Sequence, residues 1–502
     1  MAETSTASKR SMGTDIISSL PNSLLCHILS FLPTLYAVRT SILSRQWRHL
    51  WKDLQVFDFD DTELNWSNER FALFIDAVLS QLRFPHIRNL SLSCQRGLDN
   101  NKVIDNAIDN AIGRWIRAAV GPCLQEMILY SSYGEFYPDY FDGIFTCASL
   151  VSLTLGGNLV LDVIPWVYLP LLKDLTLLLG VSVEHDFISG CPALENLYID
   201  YYGSLYPEIH FLSTSLKRLS LFEVREFDDP IISEIQIDTP NLEYLRIFLA
   251  GSCVTSLVIS DFPKIMEACL EIAPLDEHVA WLPKLIQALS KTKILDFGWW
   301  TTECLVEAPN LHLPEFSCLH ELSICYSNFN SGVLIKLLCC CPKLQLLGID
   351  INGVQYFRDQ TPQSSWTQPA SVPSCVMSHL NIFEFRSYSD SSEEREFLAY
   401  ILQNALVLKR LIIYAKIGSF EKEEHILSEI SVLPRGSSIC QVEARILTRI
   451  QMGVIFQSDS LCVLYPTVRL FFGPLAIKEM ILIATAWKCK RGRVDYVKYK
   501  KT

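Results

Sequence analysis

Residues 150–199 read LVSLTLGGNLVLDVIPWVYLPLLKDLTLLLGVSVEHDFISGCPALENLYI, and this stretch decides the fold. It contains three copies of one unit, in which an apolar residue, two variable residues, a second apolar residue, one variable residue and a third apolar residue follow one another. The copies are Leu150-Leu153-Leu155, Leu172-Leu175-Leu177 and Leu194-Leu197-Ile199. A short strand-like unit that returns at a fixed period predicts stacked turns, each of which buries its apolar side chains against its neighbours.

The same unit recurs on both sides of this stretch. Further copies are Ile87-Leu90-Leu92, Leu124-Met127-Leu129, Leu216-Leu219-Leu221, Leu242-Leu245-Ile247, Leu319-Leu322-Ile324 and Leu344-Leu347-Ile349, with a weaker copy at Val254-Leu257-Ile259. The pattern resembles a leucine-rich-repeat solenoid, which we expect over residues 57–358. The copies lack the asparagine that often follows the strand in regular repeats, so the sequence predicts an irregular solenoid.

A second apolar block, residues 19–51, precedes the repeats and reads as three short helical segments. The first segment repeats apolar residues at helical spacing between Pro21 and Pro33, the second begins near Thr34, and the third ends near Trp51. About forty residues with this much apolar surface cannot bury all of it alone. An exposed apolar stripe usually contacts a partner, so we expect one here.

This block resembles an F-box, the small helical module that binds the Skp-type adaptor of SCF ubiquitin ligases, and we assign it to residues 14–56. The resemblance implies an adaptor-contacting set consisting of Leu20, Pro21, Leu24, Leu25, Ile28, Leu29 and Leu32. It also suggests a set that holds the helices together, consisting of Val38, Leu43, Trp47, Leu50 and Trp51. Nearly every signature position of the module is present.

The rest of the chain divides by composition. Residues 1–13 are polar and predict a flexible tail, and residues 359–373 are rich in proline and serine, which predicts a linker. Residues 374–445 contain strand units at Leu380-Phe383-Phe385 and Leu408-Leu411-Ile413, each followed by a charged helical segment, and then Pro434-Arg-Gly436 before Cys440. This order resembles the FBD region of plant F-box proteins, which would cap the solenoid. Residues 446–502 form an extension that is atypical for that family. The predicted fold is therefore α/β, with a three-helix F-box, an irregular leucine-rich-repeat solenoid and an FBD-like cap.

Composition narrows the classes of function. With 43 basic and 55 acidic residues the formal charge is −12, which argues against general binding to nucleic acid or to an anionic membrane. The 17 cysteines show no regular pairing, and residues 1–15 contain no secretory signal, so we expect reduced cysteines and a place in the cytoplasm or the nucleus. Residues 468–487 are apolar but interrupted by charges and a proline, which argues against a membrane span.

Motifs for catalysis were sought in the same way. The sequence has no phosphate-binding glycine loop, no His-Glu-x-x-His and no paired Cys-x-x-Cys motifs. Cys26 and His27 are neighbours, but consecutive residues of a helix point in different directions, so packing is the better interpretation for Cys26. The run Cys339–Cys341 could chelate zinc, yet consecutive cysteines of a helix cannot all face one ion. We therefore expect a protein that is not an enzyme, with no metal and no cofactor.

These observations lead to three hypotheses about function, of which the third, an unrecognised enzyme, would be supported by a bound metal or cofactor in mass spectrometry. In the first, the chain is the substrate-recognition subunit of an SCF-type ubiquitin ligase: the F-box binds a Skp-type adaptor, and through it a cullin–RING ligase, while the repeats hold an unknown target protein. In the second, the chain is a protein-binding scaffold that acts without ubiquitin transfer, with the apolar stripe of its F-box buried against the first repeat.

Overall fold

A computed structural model of the chain describes most of the region from residue 17 to residue 446. The described residues are 17, 20–62, 67–83, 86–95, 106–136, 143–159, 166–179, 186–201, 208–224, 234–252, 256–274, 281–308, 311–351, 366–415, 426 and 428–446. The predicted flexible tail (1–13) and C-terminal extension (446–502, apart from its first residue) lie outside them, as do the interrupted apolar stretch at 468–487 and residues 359–365 of the predicted linker.

One sheet runs through the described chain. It contains 15 strands, and each pairs with its neighbours in parallel. In sheet order they are β1 (Val56–Asp60), β2 (Asn89–Cys94), β3 (Glu126–Phe136), β4 (Ser152–Leu159), β5 (Asp174–Leu179), β6 (Asn196–Tyr201), β8 (Arg218–Val224), β10 (Tyr244–Ser252), β12 (Glu267–Pro274), β13 (Ile294–Phe297), β14 (Glu321–Tyr326), β15 (Leu346–Ile351), β16 (Ile382–Tyr388), β17 (Arg410–Ala415) and β18 (Gln441–Ile446). This is the predicted solenoid, with one strand per turn.

The leucines of the repeat unit set the register of this sheet. Leu153, Leu175 and Leu197 are paired across three neighbouring strands, and all three are buried. Because side chains alternate across a strand, the residues between the leucines lie on the opposite side of the sheet, which we call the open sheet face. Each turn is also tied to the next at the residue before its strand: the carbonyl of Lys173 accepts hydrogen bonds from two successive backbone N–H groups of the following turn, and the same pattern recurs along the chain.

Helices lie before β1 and in several of the connections between strands. Their bounds are α1 (Asn22–Leu29), α2 (Thr34–Arg39), α3 (Asn68–Leu79), α4 (Asn106–Ala119), α5 (Asp186–Ser189), α6 (Leu282–Ala288), α7 (Trp299–Glu307), α8 (Ser331–Cys339), α9 (Ser374–Ser378) and α10 (Ser392–Asn404), with short 3-10 helices at Thr40–Ile42, Trp47–Asp53 and Ile144–Thr146. The buried side chains of the helices and strands form one continuous hydrophobic core from Leu25 to Cys440.

A second, smaller sheet corrects one sequence-based prediction. β7 (Glu208–Leu212), β9 (Glu234–Asp238) and β11 (Ser256–Ile259) form a parallel three-stranded sheet in the order β11-β9-β7. The weaker repeat copy at Val254-Leu257-Ile259 was therefore assigned wrongly, because Leu257 and Ile259 belong to this second sheet. Two true strands, β12 and β13, were missed, since their units contain Ala268 and Thr292 where the other units carry larger apolar residues.

The FBD-like region forms the terminal turns of the same solenoid. β16, β17 and β18 extend the main sheet in parallel, and α9 and α10 lie in the connections before β16 and β17. Trp366, in the described part of the predicted linker, packs its ring 5.2 Å from that of Tyr400 and 6.0 Å from that of Phe397. The linker is thus anchored to α10 at Trp366.

Candidate functional site

The apolar stripe of α1 divides into two sides. Leu25 and Leu29 are completely buried in the core, whereas Leu24 is 49% and Ile28 is 43% exposed. Residues four apart share a side of a helix, so each pair lies together and the two pairs point apart. The expectation that Leu25 and Leu29 contact the adaptor is therefore corrected: they lie against the chain's own core, and their side chains are not accessible to a partner.

The accessible side of α1 continues into a larger apolar surface. Of the 20 large hydrophobic side chains that are exposed in the described residues, eight fall between residues 17 and 43. We call seven of them the apolar F-box surface: Leu24, Ile28, Phe31, Leu32, Tyr36, Ile42 and Leu43. Single exposed apolar residues are ordinary, but such a concentration in one small module is typical of a surface that binds another protein.

The prediction that Leu43 helps to hold the helices together is wrong. Its side chain is 65% exposed, because the predicted third helix is replaced by two 3-10 helices, Thr40–Ile42 and Trp47–Asp53, with Leu43 in the turn between them. Ile42 and Leu43 consequently project outward. Sequence periodicity missed them as surface residues, since both fit the apolar positions of a regular helix.

The remaining predicted residues lie as follows. Trp47, Leu50 and Trp51 are buried, and Val38 is half-buried. Leu20 is half-buried, while Pro21 is exposed directly before α1. Polar contacts also fix the module internally: the Cys26 thiol donates to the Leu50 carbonyl at 3.6 Å, and the Gln46 amide donates to the Asn22 side-chain oxygen at 3.1 Å.

The F-box is attached firmly to the first turn of the solenoid. The buried hydroxyl of Thr34 accepts a hydrogen bond from the backbone N–H of Asp58 at 2.8 Å, which joins α2 to β1. The backbone N–H of Arg83 donates to the Lys52 carbonyl at 3.1 Å, and the Arg83 guanidinium pairs with Asp53 at 3.0 Å. The apolar F-box surface is therefore held in a fixed place relative to the repeats.

The cysteines and the histidine that could have indicated a catalytic or metal site are packed against the rest of the chain instead. Burial raises the pKa of the Cys26 thiol, with a further rise from the nearby Asp53 carboxylate, which opposes formation of a nucleophilic thiolate. The His27 ring packs edge-on against Phe31 at 4.8 Å. Burial likewise raises the pKa values of Cys339, Cys340 and Cys341.

Among the residues that the structure describes, no group of three or more histidine, cysteine, aspartate or glutamate side chains is arranged to hold a metal ion. No helix in the same described ranges combines the length and the apolar character needed to cross a membrane.

The open sheet face carries a second group of residues that the sequence analysis did not single out. The rings of Tyr198, Phe222 and Phe248 stack along three neighbouring strands, with centroids 5.0 and 5.8 Å apart. The Arg246 guanidinium lies 4.9 Å from the centre of the Phe222 ring. The only sequence signal for these residues is their position between the buried leucines, which specifies the face they occupy but not their neighbours.

An F-box packed on the first strand of a leucine-rich-repeat sheet defines the class of F-box/leucine-rich-repeat proteins, and comparison with known proteins agrees. A model described as "F-box domain" matches residues 17–59, one described as "FBD" matches residues 368–413, and one described as "FBD-associated F-box protein At5g56370, LRR repeats" matches residues 112–269.

Two relatives from Arabidopsis thaliana cover most of the chain. The FBD-associated F-box protein At4g10400 is 30% identical over 440 residues, which are 85% of this chain and 99% of the relative. The F-box/FBD/LRR-repeat protein At5g56420 is 29% identical over 438 residues, which are 85% of this chain and 98% of the relative. The chain belongs to this plant family of F-box proteins with leucine-rich repeats and an FBD region.

Proposed function

We propose that this protein is the substrate-recognition subunit of an SCF-type ubiquitin ligase. In this proposal the apolar F-box surface binds a Skp-type adaptor, which links the chain to a cullin–RING ligase, and the repeats hold a target protein. The chain would bring a lysine of the target close to a charged ubiquitin-conjugating enzyme, and it would supply no catalytic group of its own. The cytoplasm and the nucleus are the proposed places of action.

The observation that carries the proposal is the division of α1. One side, with Leu25 and Leu29, is used to build the core, while the other side, with Leu24 and Ile28, stays accessible. Such a helix is suited to adaptor binding. The adaptor could bury Leu24 and Ile28 while Leu25 and Leu29 stay in the core, so binding would not disturb the fold. The resemblance to an F-box indicates that the partner is a Skp-type adaptor.

Co-expression with a Skp-type adaptor tests this proposal. Wild-type chain should purify with the adaptor and recruit a cullin–RING ligase to it. Leu24→Asp combined with Ile28→Asp should abolish co-purification and leave the circular-dichroism spectrum unchanged, because both side chains are accessible. Failure of a folded wild-type chain to hold the adaptor would contradict the proposal and favour the scaffold that acts without ubiquitin transfer.

A further inference from the structure

On the open sheet face, one region between β13 and β16 carries unpaired negative charge. Asp296 on β13, Glu321 on β14 and Glu384 on β16 all lie on this face, as the strand register requires. Within the described residues, Asp296 and Glu321 have neither a hydrogen bond nor an ion pair through their side chains. Glu384 pairs with Arg386 at 2.7 Å, whereas Arg246 and Arg386 act on Asp296 only at longer range.

These carboxylates influence one another. Burial raises the pKa of Glu321, and repulsion from Glu384 adds to the rise, while Arg386 opposes it. Burial also raises the pKa of Asp296 to about 6. Arg246 and Arg386 lower the pKa of Asp296, whereas Glu267 and Glu321 raise it. Cationic groups bound beside these carboxylates would offset both the repulsion and the cost of burial.

The same region is a shallow trough because its middle residues are small. Asp296, Ser323, Gly348 and Glu384 occupy equivalent positions on four adjacent strands, so a hydroxymethyl group and a hydrogen atom separate the two acids. Strands lie about 4.8 Å apart, so the two acidic positions are about 14 Å apart. Ile294, Leu346 and Ile382 line one side of the trough at the adjacent outward positions, next to Glu321.

We infer that this trough, which we call the acidic trough, is the docking surface for a lysine- or arginine-containing segment of the target protein. Its floor and apolar side accommodate the methylene stem of a basic side chain, and its carboxylates are placed to receive the charged end. Charge complementarity thus identifies the occupant as a basic polypeptide segment. The inference rests on the proposed function, since it specifies the class of target that the repeats would hold.

Binding of a labelled peptide to the full chain tests this inference. The probe is a fluorescein-labelled peptide of alternating glycine and lysine, and its counterpart with glutamate in place of lysine serves as the reference. The variant Asp296→Asn/Glu321→Gln/Glu384→Gln should bind the lysine peptide about tenfold more weakly than wild type. A matched variant, Asp261→Asn/Glu315→Gln/Glu396→Gln, removes three exposed carboxylates that lie outside the main sheet and should lose less than about threefold.

A second variant tests the shape of the trough without a change of charge. In Gly348→Val a side chain is added at the floor of the trough, where a Cβ would lie 3.2 Å from the Ser323 hydroxyl oxygen. This variant should also weaken binding of the lysine peptide. Equal losses in the trough variant and the matched variant, or full binding by Gly348→Val, would overturn the inference, because binding would then reflect the net charge of −12 alone.

The chain's own basic residues between 488 and 501 are the competing occupant. If glutamine replaces the lysines and arginines of this segment in the full chain, affinity for the lysine peptide should not change. A rise of more than about tenfold would show that the segment itself fills the trough and would overturn the assignment to a partner. The affinity for the adaptor, measured on the same variants, should stay at the wild-type value. Loss of adaptor binding would contradict the proposed function, whereas loss of peptide binding alone concerns only the acidic trough.

Discussion

Glu271 shows how a single carboxyl group is controlled by its place in the fold. It lies on β12 with 6% of its surface exposed, and its side-chain oxygen accepts a hydrogen bond from the backbone N–H of Trp300, in the first turn of α7, at 2.8 Å. Burial raises its pKa from 4.5 to about 8, even though this hydrogen bond acts in the opposite direction. At neutral pH the group therefore keeps its proton in the folded state.

We expect this carboxyl group to make stability depend on pH. Between 4.5 and about 8 the folded protein holds a proton that the unfolded chain has released, so the free energy of unfolding should fall as pH rises through that range. The slope from one such group is at most about 1.4 kcal/mol per pH unit. Urea unfolding should show that Glu271→Gln, which keeps the shape of the side chain, loses this dependence.

The matched control is Glu396→Gln, an exposed position on α10, which should follow the wild-type dependence. An identical dependence in wild type and Glu271→Gln would contradict the assigned protonation state.

Gly298 illustrates a close approach that excludes any side chain. A Cβ at this position would overlap the second side-chain oxygen of Glu271. Gly298→Ala should therefore displace Glu271 from the start of α7 and lower the free energy of unfolding by about 2 kcal/mol. Thermal unfolding can compare it with Gly332→Ala, where the nearest atom to a Cβ is 3.4 Å away. Equal stability of the two variants would contradict the predicted overlap.

At the scale of elements, α10 joins the FBD-like region to the preceding repeat. The carboxylate of Glu394 forms a capping box with Ser391, the residue before the helix. Glu393 reaches another helix instead: its side-chain oxygen accepts a hydrogen bond from the backbone N–H of Ser331, the first residue of α8, at 3.0 Å. An acidic first turn is a local signal for stabilisation of α10 itself, but the bond to α8 spans 62 residues and leaves no local signal.

Glu393→Ala should destabilise this junction. It leaves the buried N–H of Ser331 without that acceptor, which should lower the free energy of unfolding by about 2 kcal/mol. Glu396→Ala, an exposed position on the same helix, should change it by less than about 0.5 kcal/mol. Denaturant unfolding of both variants provides the comparison, and a Glu393→Ala protein as stable as Glu396→Ala would show that the α8–α10 contact contributes little.

The period of the apolar residues predicted the strands well, because each leucine unit is a local pattern. The α1 stripe shows the limit of such patterns: Leu24 and Leu25 look alike in sequence, and only packing against Trp47, Leu50 and Trp51 decides which side is buried. The acidic trough leaves no local signal for the same reason, since strand pairing places Asp296 and Glu384 at equivalent positions of one sheet although 87 residues separate them in sequence. Contacts that depend on non-local packing leave no periodic trace.

For the whole molecule, the F-box and the first strand should behave as one unit. Thr34→Val removes the hydroxyl that accepts from the Asp58 N–H and should cost about 1 to 2 kcal/mol. In a stack where each turn contacts its neighbours, the effect should stay local. Hydrogen exchange should therefore accelerate in residues 22–39 and 56–60 but not in β16, β17 or β18. Uniform acceleration along the chain would contradict this local coupling.

The central claim is that the accessible side of α1 binds the adaptor while the buried side builds the fold. The measurement that tests it most directly is the dissociation constant for a purified Skp-type adaptor, determined by isothermal titration calorimetry. Leu24→Ala/Ile28→Ala should weaken binding by about thirtyfold, which corresponds to about 2 kcal/mol. Leu73→Ala, at a 68% exposed position on α3 outside the F-box, should bind as wild type. Equal affinities for wild type and both variants would contradict the account.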